Sequence, residues 1–393
     1  MDLIKRQSQI AVWVTAGACL SLFVYGFVDN LKGATLPLLL SDLRFNYTQG
    51  GAIQQGAYLG FLVAALVASL LIMVWGHRAV LLIGAACLLT WILSYSFFSN
   101  FSILLASMIV IGLGLGTLDL LGVRLIVDFR SSNKGKFLNL SAFFHGLASM
   151  VAPIFAGVIL SNGFQWRNVY HFGIIMVVLF VIFFLVARIP GVEKNTTPQK
   201  ERLRQVISSL QDRRIWLFYV LIICYVSVEN GFAVWVVEYL QKARAQSSEL
   251  SILFLSLFFF FLMIGRLLGS FVVEKVGYLR MLLIASIGAT VCLVLGIFGQ
   301  YPLVYCLPLT GFFLSIIFPT TTAAASDDMQ GSKDVQFALF FTLAGLGGII
   351  GSWAIGVLSD IVGLQFGFAF LILMVLTILM LVIIRIRTAP KRL

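Results

Sequence analysis

Three carboxylates sit inside long apolar stretches of this chain: Asp29, Asp119 and Glu229. An ionisable side chain at the centre of a bilayer costs about 2.5–3.5 kcal/mol on insertion scales, which marks such residues as functional candidates by default. A carboxyl there can hold a proton in one state and release it in another, the chemistry that couples solute movement to a proton gradient. Asp29, Asp119 and Glu229 are therefore the proton-coupling candidates. Each also has a structural alternative. Asp29 could lie at an outer interface, where Lys32 one turn on holds it charged. Asp119 could pair with Arg124, and Glu229 could be a satisfied buried acid.

Around these acids stand polar residues fit to bind a hydroxylated solute: Asn30, Gln54, Gln55, Asn139, His145, Asn230, Trp235 and Arg124. Carboxamides offer both donors and acceptors to hydroxyls, and an indole face stacks on a sugar ring. Gln54 and Gln55 are adjacent, so at most one faces a given cavity well. A lone histidine such as His145 equally serves by bonding a neighbouring carbonyl, and Arg124 equally serves as a structural partner.

Other chemistries find little support. Cys19, Cys87, Cys224, Cys292 and Cys306 each lie in an apolar run without metal-ligand spacing and read as small core residues. The runs Gly112-Gly114-Gly116 and Gly345-Gly347-Gly348-Gly351 lack the strand and Lys-Ser/Thr signature of phosphate loops, and instead allow close helix approach. There is no nucleophile, base and orienter set. The chain reads as a non-enzyme with no cofactor and no metal.

The elements holding these residues follow from composition. The chain is 60% hydrophobic and 11% charged, with a mean hydropathy of +1.03, against roughly 25% charged residues in soluble domains. Its solvent must be a bilayer. Apolar runs give twelve expected helices near 10–38, 50–75, 79–98, 101–127, 136–161, 168–188, 215–240, 249–273, 280–299, 303–325, 335–358 and 364–385. The first run is too long for a signal-peptide core and no small-residue cleavage site follows it. A polar linker, 189–214, separates an N-terminal six-helix half (1–188) from a C-terminal one (215–393).

Counted loop by loop, Lys and Arg fall overwhelmingly on the side of the termini and linker. Lys32, Arg44, Arg167, Lys242 and Arg244 are placed on the other side, and Arg124 and Arg266 within spans. The positive-inside rule puts both termini and the linker in the cytoplasm. The +11 charge then faces lipid head groups rather than nucleic acid.

The halves repeat. Tyr25-x-x-x-Asp29-Asn30 matches Tyr225-x-x-x-Glu229-Asn230 at an offset of 200 residues, and Gly76-His77 matches Gly277-Tyr278 at 201. Gly157-Val158 with Ser161 likewise precedes Gly356-Val357 with Ser359. A near-constant offset across three pairs marks a duplicated unit. The expected fold class is an all-α membrane protein of twelve transmembrane helices in two parallel six-helix repeats, with a solute site at midplane between them.

Several segments carry a family resemblance. They are Tyr25-Gly26-Phe27 through Asn30-Leu31 to Pro37, Gly112-Leu113-Gly114 through Thr117-Leu118-Asp119, and Leu138-Asn139-Leu140 through His145-Gly146 to Ala152-Pro153. Gly265-Arg266 with Gly269, Glu274 to Tyr278, and Gly311 to Pro319 continue the series. In this order they resemble the fucose/glucose/galactose-type sugar:proton symporters of the major facilitator superfamily, over nearly the whole chain. The resemblance implies proton coupling or sugar contact at Asp119, an acid site at Glu229-Asn230, and polar sugar contacts at Asn30 and His145. The family's first-span acid falls at Gly33 here, one turn from Asp29. The acid-basic motif after the second span is reduced to Trp75-Gly76-His77-Arg78, while Glu274 to Arg280 keeps its counterpart.

Together these readings imply a proton-coupled importer of a monosaccharide or similar small polar solute, with sodium as the alternative ion. It is expected to be a monomer, multi-pass in a plasma membrane such as a bacterial inner membrane. The rivals are a drug or metabolite exporter of the same fold and a non-transporting membrane sensor. A polar cavity lining favours import, and the lack of an accompanying soluble domain counts against a sensor.

Overall fold

The computed structural model describes residues 2–129, 134–187, 189, 213–328 and 333–388. Most of the expected linker lies outside these residues. The chain divides into two compact units, Met1–Lys194 and Asn195–Leu393.

The first unit holds α1 (Asp2–Leu43), α2 (Tyr47–Phe97), α3 (Phe101–Phe129), α4 (Lys134–Ser161) and α5 (Trp166–Val186). Helix α2 has 51 residues, about 77 Å at 1.5 Å per residue, more than twice a hydrocarbon core of about 30 Å. Gly76 interrupts it at φ 74° and ψ 169°, a backbone state closed to most side chains. Its two arms are thus the second and third expected spans. Asn46 starts the helix with a capping box: it accepts from the Gln49 amide at 2.8 Å, and Gln49 accepts from the Asn46 amide at 3.1 Å.

Small residues let these helices touch. A Cβ at Gly112 of α3 would lie 1.9 Å from the Ala57 carbonyl oxygen, and one at Gly26 of α1 would lie 2.6 Å from that of His145 on α4. The glycine run of α3 therefore packs helices, as its spacing implied. Arg78 donates through Nε to the Phe184 carbonyl (2.7 Å) and through Nη2 to that of Leu185 (2.5 Å). It satisfies orphan carbonyls at the end of α5, where a cation also suits the helix dipole. At the other end of the unit, Asp42 accepts from Trp166 Nε1 (3.0 Å) and Arg167, which also donates to Ser99 (2.9 Å).

The second unit holds α6 (Arg213–Ala243), α7 (Ser248–Val276), α8 (Tyr278–Phe298), a 3-10 turn (Leu303–Tyr305), α9 (Cys306–Leu314), α10 (Ile317–Asp328), α11 (Lys333–Val362) and α12 (Leu364–Thr388). The tenth expected span is thus broken rather than continuous. Pro319 has no N–H for the carbonyl of Ser315, four residues back, and its ring crowds that carbonyl. The helix parts at Ser315–Ile316 accordingly.

The repeat extends to backbone conformation. Gly76 and Gly277 both have positive φ (74° and 89°), as do Gly163 and Gly363 (81° and 88°). Among the described residues, eleven helical stretches are long and apolar enough to cross a membrane. The first arm of α2, part of which lies outside the described side chains, supplies the remaining expected span. Large apolar side chains face outward on these helices, among them Ile182, Leu185, Leu267 and Phe271. Exposed apolar area on this scale needs lipid to cover it. The chain is a multi-pass membrane protein.

Candidate functional site

In the first unit, Asp29 and Lys32 sit one turn apart on α1 and form an ion pair with Nζ 2.5 Å from Oδ1. The Lys32 side chain is only 5% exposed and that of Asp29 12%. This corrects the placement of Lys32 outside the membrane: α1 runs on to Leu43, so Lys32 lies well inside the helix. Its ammonium approaches the Tyr58 hydroxyl at 3.4 Å and stands 4.5 Å from the centre of that ring, a cation–π position. Both charges line a recess completed by Val28 of α1, Ala57 of α2, Met108, Ile111 and Leu115 of α3, and Tyr170 of α5. Tyr170 is fixed there by a 3.0 Å hydrogen bond between its hydroxyl and that of Thr35.

Asp119 lies on α3 one turn beyond Leu115. It has no hydrogen bond or ion pair among the described residues. The pairing with Arg124 does not form: five residues apart on a helix, the two side chains point in different directions. Gly122, three residues further on, packs against Ser21 and Leu22 of α1. Asp119 is thus on the part of α3 that faces α1, between that contact and the Asp29–Lys32 recess.

The polar candidates separate into two kinds. Asn30 is buried at the α1–α4 seam, donating to the Gly26 carbonyl (2.8 Å) and Ser149 Oγ (3.0 Å), while Ser149 donates to the His145 carbonyl (2.9 Å). Asn30 therefore ties helices together. His145, half-buried on α4, lies against Tyr25 with ring centres 4.8 Å apart. Gln54 is the fully buried member of the glutamine pair, beside Tyr95 but outside hydrogen-bonding geometry with it; Gln55 is half-buried. The side chain of Asn139 lies outside the described residues.

In the second unit, Glu229 of α6 meets Arg266 of α7, with Oε1 and Nη2 3.5 Å apart. Arg266 Nε donates to the Ser315 carbonyl at 3.4 Å. That is the carbonyl Pro319 leaves without a helical donor, so the break in the tenth span gives Arg266 its second partner. The Tyr225 hydroxyl is buried beside the pair, outside hydrogen-bonding geometry with either group. Asn230 is half-buried and donates to the Val226 carbonyl of its own helix at 3.1 Å. Trp235 is fully buried, and its indole donates to the Ser352 carbonyl at 2.9 Å. Its ring packs between helices and offers no open face for stacking.

Lys32, Tyr58, Tyr170, Arg266 and Ser315 were not among the sequence candidates. Arg266 carried a usable signal: a basic residue inside a span needs a partner. Which acid it would find depends on how α6 and α7 lie together.

Paired charges within apolar helices and a duplicated helical unit fit a membrane transporter. A sequence model of the Major Facilitator Superfamily matches residues 18–336 and again 230–393, and the chain belongs to that family. It is similar to the L-fucose-proton symporter of Escherichia coli strain K12, 21% identical over 92% of this chain and 90% of the relative. It is also similar to the glucose/mannose transporter GlcP of Bacillus subtilis strain 168, 25% identical over 85% of each. A crystal structure of a D-xylose-proton symporter aligns over 97% of this chain and 98% of its own, with a TM-score of 0.76 at 13% identity, a likeness of fold.

Proposed function

We propose that this protein is a secondary transporter that takes up a monosaccharide or similar small polar solute together with a proton, by alternating access, and that Asp119 carries the proton. The observation behind the assignment is the contrast among the deep acids. Asp29 and Glu229 each have a cation within ion-pair distance, whereas Asp119 has none among the described residues. A paired carboxylate keeps its charge; an unpaired one inside a membrane is stable only when it can be neutralised. The names of the fucose and glucose/mannose relatives support a sugar as solute. In the first unit, His145 and Gln55, both half-buried, are polar groups suited to meet its hydroxyls. The termini and linker face the cytoplasm in this reading, as their basic residues require.

The test is uptake of labelled L-fucose, D-glucose and D-mannose into proteoliposomes, with and without an inward proton gradient. Gradient-driven accumulation of at least one sugar is expected. Accumulation that follows sodium alone, or of none of the three, would overturn the reading.

A further inference from the structure

Asp29 and Glu229 occupy equivalent places in the two repeats, 200 residues apart, but their cations do not. Lys32 comes from the same helix as its acid, and its counterpart in the second repeat is Phe232. Arg266 comes from the next helix, and the residue at the same offset in the first repeat is Leu66. Each half therefore neutralises the same acidic position with a cation from a different place. Each pair also has a tyrosine hydroxyl beside it, Tyr58 in one half and Tyr225 in the other. What the halves share is the cancelled charge, not the residue that cancels it.

We propose that Lys32 and Arg266 are internal counter-ions that keep Asp29 and Glu229 ionised and out of proton transfer, so that one proton moves with each solute. This deepens the coupling reading above and rests on it. The groups facing Asp29 are Lys32 from α1, Tyr58 from α2 and Tyr170 from α5, while α3 lines the recess with Met108, Ile111 and Leu115. Among the described residues, Lys32 is the one cation there. The groups at Glu229 are Arg266 and Tyr225, and among the described residues one cation is again present. Removing either cation leaves an uncompensated charge in an apolar setting, the costly half of breaking a buried pair. The acid then relieves that cost by taking a proton. Removing acid and cation together leaves no charge to relieve.

Infrared difference spectroscopy of the purified protein in lipid reads protonated carboxyl groups without any solute. Lys32→Met is expected to gain a protonated-carboxyl band at neutral pH that Asp29→Asn/Lys32→Met lacks, and Arg266→Gln a band that Glu229→Gln/Arg266→Gln lacks. In proteoliposomes with the same three labelled sugars, each single cation variant should lose uptake by at least about tenfold. Each double variant should recover to within about threefold of the unaltered protein and carry one proton per sugar.

Folded single variants with no new band would overturn the proposal, as would double variants no better than the singles. Should the single variants fail to fold, double variants that fold support it, and doubles that also fail overturn it. If the unaltered protein accumulates none of the sugars, the transport reading falls, while the infrared result still decides whether Lys32 and Arg266 are counter-ions.

Discussion

Asp119→Asn isolates proton coupling from solute passage. The substitution keeps the side chain's shape and removes only its ability to exchange a proton. In the proposed reading Lys32 and Arg266 hold Asp29 and Glu229, and Asp119 carries one proton with each neutral solute. Each unit of pH difference is then worth about 1.4 kcal/mol, or tenfold in accumulation. An interior two units more alkaline than the outside, with no membrane potential, gives the unaltered protein a limiting accumulation near 100-fold. In Asp119→Asn the ratio should fall to about 1 under the same gradient. Exchange of labelled for unlabelled sugar should persist, because exchange needs no net proton. The assay is paired: gradient-driven accumulation and counterflow, on vesicles matched for folded protein. Accumulation well above unity in Asp119→Asn would refute the assignment. So would loss of counterflow along with accumulation in a folded variant, which would make Asp119 a contact for the solute itself.

Three further outcomes follow from the packing and the charge distribution. Trp235→Phe keeps the apolar contact but loses the hydrogen bond to the Ser352 carbonyl, so thermal stability should drop by about 1–2 kcal/mol while the KM for sugar stays unchanged; a raised KM at full stability would restore the indole as a solute contact. Gly112→Ala places a methyl 1.9 Å from the Ala57 carbonyl oxygen, and prying α2 from α3 should cost about 1–3 kcal/mol in unfolding assays, so wild-type stability in this variant would contradict the tight crossing. Single cysteines introduced at both termini and in the 189–214 segment should react with membrane-impermeant maleimide only in inverted vesicles; labelling of the segment in intact cells would reverse the topology.

Much of this protein was legible in its sequence because a bilayer imposes simple rules. Every backbone group in hydrocarbon must be bonded within the segment, so apolar runs of about 20 residues can only be helices. Duplication left its trace at Gly76 and Gly277, and both glycines adopt positive φ because each marks the same turn. The apolar run predicts a continuous tenth span; the missing N–H of Pro319 carried the signal of its break, which the apolar run alone does not show. The three deep acids were visible through cost alone.

What those acids do to one another was decided only in three dimensions. Lys32 could be matched to Asp29 along one helix, since side chains three residues apart are neighbours. No such rule links Glu229 to Arg266 or Arg266 to Ser315, because those contacts depend on how separate helices cross. The same holds for the polar candidates. Asn30 and Trp235 looked like ligand contacts by residue type, yet helix packing turns Asn30 to Ser149 and Trp235 to Ser352. Composition and periodicity fix which residues enter the membrane, whereas the crossing of helices chooses their partners. Among the described residues, it is partnership that leaves Asp119 alone of the three deep acids without a cation beside it.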